Sequence, residues 1–159
     1  MTDKPSMVST VLGSCVSVTM FSRSMGYGAI CHGLLPNCGE KSCGACDDLL
    51  KYVECSIKHI VDRITKRGIT TSQLEVKMFG GGNVLASNGT RKATVGQQNI
   101  EAALETLDAL NIRLQSADVG GTHGRKVIFY PHTGEILMKR LKNSNYMEDS
   151  SRIAAVGNP

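Results

Sequence analysis

Apolar residues recur along the chain with the periods of strands and helices. Residues Val16 to Phe21 and residues Gly26 to Leu35 are apolar enough to form two strands, and the SRSMG segment between them supplies a turn. The pattern therefore predicts a β-hairpin near the start of the chain.

Two later stretches have the period of an amphipathic helix. From Asp47 to Arg67 apolar residues recur at helical spacing, basic residues close the last turn, and Gly68 follows. A second helix is predicted from about Gln97 to Leu110. Each has one apolar stripe, so we expect both to pack on a sheet.

Four further strands complete the prediction. They cover Gln73 to Phe79, Ile112 to Gly121, Lys126 to Tyr130 and Ile136 to Leu141. The order β-β-α-β-α-β-β-β predicts an α/β or α+β fold, a mixed β-sheet sandwich with two main helices packed on it. We expect a single domain over residues 1–159, with a flexible tail from about residue 143.

Composition and charge narrow the class of protein. Hydrophobic residues make up 41% and charged residues 20% of the chain, which is typical of globular proteins. No stretch reaches the roughly 18 to 20 apolar residues of a membrane span, and the N-terminus does not resemble a signal peptide. The net charge of +4 is scattered, which argues against nucleic-acid binding. We expect a cytoplasmic protein, whose six cysteines are more typical of catalysis or metal binding than of disulfides.

The segment STVLGSCVSV contains the strongest candidate chemistry. A cysteine hydrolase needs a thiolate, a nearby imidazole and backbone donors for an oxyanion. The predicted hairpin would bring Cys15 and His32 side by side, Gly13 would allow a close backbone approach, and amides around Ser14 and Cys15 could face the substrate. A buried structural thiol and a hydrogen-bonded strand histidine explain the same residues, and spacing alone does not decide.

Longer motifs resemble a known family. STVLGSCVSV, GAICHGLLP, KMFGGGNVL, VGQQN and DVGGTHGRKVIFYPHTGEI resemble, in this order, the CheD family of chemoreceptor glutamine deamidases, from about Ser9 to Leu141. The resemblance implies that Cys15 is the nucleophile and His32 its general base and acid. It also implies a positioning hydroxyl six places before the cysteine, where Ser9 stands with Thr10 beside it, so either residue is a candidate.

The reaction that the resemblance implies is amide hydrolysis without a cofactor. Cys15, with its pKa lowered by His32, would attack a receptor glutamine, ammonia would leave, and water would release glutamate from a thioester. The implied partners are the cytoplasmic helices of chemoreceptors and a CheC-type phosphatase, with the chain a monomer or part of a heterodimer. The first alternative is a regulator that binds CheC or receptors without turnover.

Two features depart from the family pattern. Its members usually have a strand ahead of the serine, whereas only eight residues precede Ser9, so an edge strand is missing or the sequence begins late. Cys38, Cys43 and Cys46 have the C-x4-C-x2-C spacing of plant-type iron–sulfur ligands, with Cys55 as a candidate fourth. A metal or redox protein is thus the second alternative, although we expect a solvent-exposed loop of reduced or redox-labile thiols and no metal.

Overall fold

The computed structural model describes residues 5–39, 48–84 and 93–141. Within these ranges the strands are β1 (Val8–Leu12), β2 (Val16–Ser22), β3 (Tyr27–Ile30), β4 (Leu74–Gly80), β5 (Leu114–Val119), β6 (Gly124–Tyr130) and β7 (Glu135–Leu141). The α-helices are α1 (Val53–Thr65) and α2 (Val95–Ala109). The predicted flexible tail, Cys43 and Cys46 lie outside the described residues.

The strands form two sheets. One has four strands in the order β3-β2-β4-β5, in which the pair β4 and β5 is parallel and the other pairs are antiparallel. The other is antiparallel, in the order β1-β6-β7. α2 makes the crossover that a parallel β4–β5 pair requires. The predicted α+β class with two helices is confirmed, and the strands divide between two sheets.

The four-stranded sheet is covered on both faces. Every residue of β2 is buried, which explains why this strand reads as an apolar run and not as a strict alternation. One face packs on the helices through Val16, Val18 and Met20. Between the sheets lies a smaller cluster of Leu12, Phe79 and Val127, with Cys15 and Ile136 packed against it.

Strand β1 was not predicted. Its five residues, VSTVL, form a short segment that runs directly into the LGSC turn, so no periodic pattern stands out. It pairs with β6 from Val8 opposite Phe129 to Leu12 opposite Arg125, and this distant partner stabilises it. β1 therefore places Ser9 and Thr10 on a strand beside the cysteine turn.

Helix α1 begins at Val53, which corrects the predicted start at Asp47. Residues Leu49–Lys51 form a 3-10 turn, and Tyr52 is extended. The reason is a tertiary contact, because Val53 N donates to Leu35 O at 2.8 Å. The same contacts explain why β3 ends before the predicted Leu35.

Helix α2 begins close to its predicted start. Val95 is its first residue, two positions ahead of Gln97. Thr94 is the N-cap, and its side chain accepts a hydrogen bond from Gln97 N while the Gln97 side chain accepts one from Thr94 N. This capping box fixes the helix start beside the glycine segment that follows β4.

Candidate active site at the end of the hairpin

The hairpin register places Cys15 and His32 on one face of the four-stranded sheet. Beyond the end of β3, Val16 and Gly33 exchange two backbone hydrogen bonds, of 3.0 and 2.8 Å. In this register Cys15 and His32 are diagonal neighbours, a relation that corresponds to about 7–8 Å between Cα atoms in a regular sheet. A histidine side chain is long enough to extend toward its diagonal neighbour, whereas the cysteine side chain is short.

Contacts with the second sheet define the same face. His32 Nδ1 lies 2.8 Å from Thr10 Oγ1 on β1. Cys15 packs against the cluster of Leu12, Phe79 and Val127 between the sheets. Both Cys15 and His32 are half-buried.

Thr10, and not Ser9, supplies the hydroxyl that contacts His32. Thr10 is 9% exposed, and its side chain points between the sheets. Successive side chains of a strand point to opposite faces, so Ser9 faces away from His32. When Nδ1–H donates to Oγ1, the other ring nitrogen, Nε2, has the lone pair that a general base needs.

The turn before Cys15 is held by its carbonyl groups. The three consecutive carbonyl oxygens of residues 13–15 accept hydrogen bonds from Gly82 N at 2.7 Å, Asn99 Nδ2 at 2.9 Å and Gly81 N at 2.8 Å, respectively. Gly80 has a φ of +107°, and a Cβ there would lie 2.1 Å from the Cys15 oxygen. The glycine run after β4 therefore allows the backbone approach that fixes the cysteine turn.

Burial shifts both titrating groups toward their neutral forms. It raises the pKa of the Cys15 thiol, an effect that a hydrogen bond from the residue's own backbone amide offsets in part. Burial also lowers the pKa of His32. The lowering of the Cys15 pKa by His32 that the resemblance implied is therefore wrong for the resting chain, in which burial raises this pKa. A thiol that is neutral at rest must lose its proton as it attacks.

The other cysteines have different surroundings. Cys31 precedes His32 but is buried in the main core, and burial raises the pKa of its thiol to about 11. Cys38 is disulfide-bonded, which corrects the expectation of a reduced thiol at this position, and its Sγ lies 3.5 Å from the Sγ of Cys55. Within residues 5–39, 48–84 and 93–141, no group of three or more His, Cys, Asp or Glu side chains is arranged to hold a metal ion.

Sequence reasoning missed Asn99. This residue is fully buried, on the face of α2 that also carries Ala103 and Leu107. A polar residue in register with an apolar stripe was the available signal, because a buried amide needs specific partners.

In the part of the chain that the structure describes, no helix is long and apolar enough to cross a membrane.

Comparisons with known proteins identify the family of the chain. Residues 34–140 match the family described as CheD chemotactic sensory transduction. The chain is 48% identical over 141 residues to a probable chemoreceptor glutamine deamidase CheD 2 of Geobacter sulfurreducens, covering 89% of this chain and 84% of that protein.

Two further relatives have the printed name probable chemoreceptor glutamine deamidase CheD. The one from Maridesulfovibrio salexigens is 38% identical, with 87% of this chain and 85% of that protein covered. The one from Thiobacillus denitrificans is 37% identical, with 91% and 70% covered. Both the family match and these identities span most of the chain, and the chain belongs to the CheD family.

Proposed function

We propose that this chain hydrolyses the side-chain amide of glutamine residues in chemoreceptors, with Cys15 as nucleophile and His32 as general base and acid. The observation that carries the proposal is a half-buried thiol on the same sheet face as an imidazole whose Nδ1 is engaged by Thr10. The names of the relatives support the substrate class. The site needs no cofactor for this reaction.

The first half of the reaction forms a thioester. His32 Nε2 accepts the proton of the Cys15 thiol as the sulfur attacks the amide carbon and a C–S bond forms. The backbone amides of Ser14 and Cys15, beside the close approach that Gly13 allows, stabilise the oxyanion. The imidazolium then donates its proton to the amide nitrogen, the C–N bond breaks, and ammonia leaves.

The second half releases glutamate. Neutral His32 takes a proton from water, and the oxygen attacks the thioester carbon. The C–S bond breaks, and the imidazolium returns a proton to the sulfur. Each cycle consumes one water, releases one ammonia and replaces a neutral amide by a carboxylate on the receptor.

The cellular setting of the proposal follows from family membership. The substrates are the cytoplasmic helices of chemoreceptors, so we propose that the chain acts in the cytoplasm. A CheC-type phosphatase is the proposed protein partner, with the chain as monomer or in a heterodimer. Size-exclusion chromatography of the chain mixed with such a phosphatase tests this part, and two unshifted peaks would contradict it.

Mass spectrometry of receptor cytoplasmic fragments tests the proposed activity. Fragments are incubated with the wild-type chain, Cys15→Ala, His32→Gln and Cys31→Ala. The expected result is conversion of glutamine to glutamate by the wild-type chain and by Cys31→Ala, which loses a thiol next to His32 in sequence but on the core side. Cys15→Ala and His32→Gln should give none above the background. Equal conversion by Cys15→Ala would refute the proposal.

A further inference from the structure

Asn99 connects the two halves of the candidate site. It lies in the second turn of α2, and its side chain is fully buried. Its Nδ2 atom donates to the carbonyl oxygens of Ser14 and Leu34, each at 2.9 Å. Ser14 precedes Cys15, and Leu34 follows two positions after His32. One side-chain amide therefore joins the turn of the nucleophile to the segment of the base.

The two hydrogen bonds of Asn99, called the bridge below, lie where the backbone pairing of the hairpin ends. The last pair is Val16 and Gly33. Beyond it the Leu35 N–H turns away and donates to Lys51 O at 3.2 Å, so the two segments diverge. Asn99 supplies the connection that backbone pairing no longer provides.

The contacts require a group at this position that donates two hydrogens. Both acceptors are carbonyl oxygens, so the group between them must donate two hydrogens, and only the NH2 of Asn99 does so. Asn99 Oδ1 is buried without a hydrogen-bond partner among the described residues. A buried acceptor without a partner lowers the stability of the fold. Buried polar atoms normally have hydrogen-bond partners, and an exception that lowers stability is typical of a functional position.

We propose that Asn99 is a positioning residue, which holds Cys15 and His32 in reacting geometry through the Ser14 and Leu34 carbonyl groups. The inference rests on the proposed function, since it assumes that Cys15 and His32 react together. Asn99 does not itself touch the substrate. A misplacement of about 1 Å can slow a reaction about 10²-fold, so loss of the bridge affects the rate more than binding.

The test compares pH profiles of Cys15 alkylation by iodoacetamide, which needs no receptor. The variants are Asn99→Asp, which keeps the shape but cannot donate two hydrogens, His32→Gln, and the control Thr106→Val. Thr106 is buried on the same helix and donates to Ala102 O within that helix. Modification is followed in the peptide that contains Cys15, so the other cysteines do not interfere.

The expected wild-type profile has a component near neutral pH that depends on His32 as base. Asn99→Asp should lose that component and follow His32→Gln, with alkylation at neutral pH slower by at least about tenfold. Thr106→Val should keep the wild-type profile even if it melts at a lower temperature. On receptor fragments, kcat of Asn99→Asp should fall about 10- to 100-fold with KM within about twofold. A wild-type profile for Asn99→Asp overturns the inference.

A wild-type measurement covers the case in which Asn99→Asp does not fold. The side-chain NH2 resonance of Asn99 should shift when Cys15 is alkylated, because its acceptor lies next to the modified residue. An unchanged resonance would overturn the inference. The two proposals fail separately, because a chain that deamidates no receptor fragment refutes the enzyme, whereas the alkylation profiles still report on the bridge.

Discussion

At the scale of single residues, the reactivity of His32 depends on which ring nitrogen is free. Thr10 Oγ1 lies 2.8 Å from Nδ1, and when Nδ1–H donates this hydrogen bond the lone pair is on Nε2, where the proposed mechanism needs it. Ser9, one position earlier, points to the opposite face of β1. The two hydroxyls that the sequence could not tell apart are therefore separable by experiment.

Thr10→Val should lower activity without a matching loss of binding. The variant keeps the shape of the side chain but leaves the ring of His32 without its orienting partner. We expect kcat on receptor fragments to fall about tenfold to a hundredfold, with KM nearly unchanged. Ser9→Ala is the matched control, and we expect it to retain wild-type kcat. A larger loss in Ser9→Ala than in Thr10→Val would contradict the assignment of Thr10.

The two shifted pKa values predict the pH dependence of kcat/KM. Burial lowers the pKa of His32, so the base should stay unprotonated at pH values below the ordinary histidine range of about 6.5. Burial raises the pKa of Cys15, so ionisation of the thiol belongs above the ordinary value of about 8.5. We expect a wide plateau between these limits, measured with receptor fragments. An acid limb centred above pH 7 would contradict this account.

At the scale of elements, the segment after β4 determines the position of the cysteine turn. Gly80 and Gly81 have positive φ angles, of 107° and 64°. Gly81 N holds the Cys15 carbonyl, and a side chain at residue 80 would collide with the same oxygen. The end of one strand thus serves as the support for the start of another.

Gly80→Ala should destabilise the fold and remove activity together. The new methyl group would lie 2.1 Å from the Cys15 oxygen in a left-handed backbone, and we expect a loss of about 3 kcal/mol in the free energy of unfolding. Gly68→Ala is the control, because its φ is +80° but no atom lies within 4 Å. Gly68→Ala should lower the free energy of unfolding by about 1 kcal/mol. Urea unfolding measures both, and equal losses would contradict the steric argument.

The sequence predicts those helices and strands whose apolar pattern is local to the element itself. The apolar stripes of α1 and α2 and the strands β2, β4, β6 and β7 were predicted close to their observed bounds. The start of α1 was wrong because Val53 N bonds to Leu35 O, a partner that periodicity cannot reveal. β1 was missed because five residues give too little pattern and β6 stabilises them from a distance.

At the scale of the whole molecule, an ion-pair cluster joins the two sheets. Asp118 on β5 accepts hydrogen bonds from two arginines of the other sheet. Its Oδ1 lies 2.8 Å from Nε of Arg125 on β6, and its Oδ2 lies 2.6 Å from Nη2 of Arg140 on β7. The Arg125 side chain is 3% exposed, and its Nη1 donates to His123 O at 2.9 Å. Burial alone would raise the pKa of Asp118, but hydrogen bonds and ion pairs with Arg140 and Arg125 outweigh it and lower the pKa.

Asp118→Asn should destabilise the molecule strongly because it leaves Arg125 buried without its countercharge. We expect a loss of about 3 kcal/mol in the free energy of unfolding. Glu75→Gln, which breaks the exposed pair of Glu75 with Arg23, should cost less than about 1 kcal/mol.

The pH dependence gives a second readout of Asp118. Because its folded-state pKa is lowered, its stabilisation is present at neutral pH and is lost as the pH falls through and below the ordinary aspartate range of about 4. Unfolding experiments at several pH values should show this acid loss in the wild-type chain and a smaller one in Asp118→Asn. The same acid loss in both would contradict the role of this carboxylate.

The parts of the site were predictable to different degrees. Cys15 and His32 were found because a short motif and a family resemblance mark them in the sequence. Thr10 was one of two candidate hydroxyls, and its contact with His32 distinguishes it from Ser9. Asn99 and Arg125 make contacts between segments far apart in the chain, which sequence patterns do not reveal. The sequence therefore predicted the pair that we propose to react, and not the buried contacts that hold their segments in place.

The most direct test of the account is whether a thioester forms on Cys15. Hydroxylamine added to the wild-type chain and a receptor fragment should intercept that intermediate, so that mass spectrometry finds a hydroxamate at the glutamine positions that otherwise become glutamate. Cys15→Ala should give neither product. Glutamate formed by the wild-type chain without any hydroxamate at high hydroxylamine, or by Cys15→Ala at the wild-type rate, would contradict the central claim.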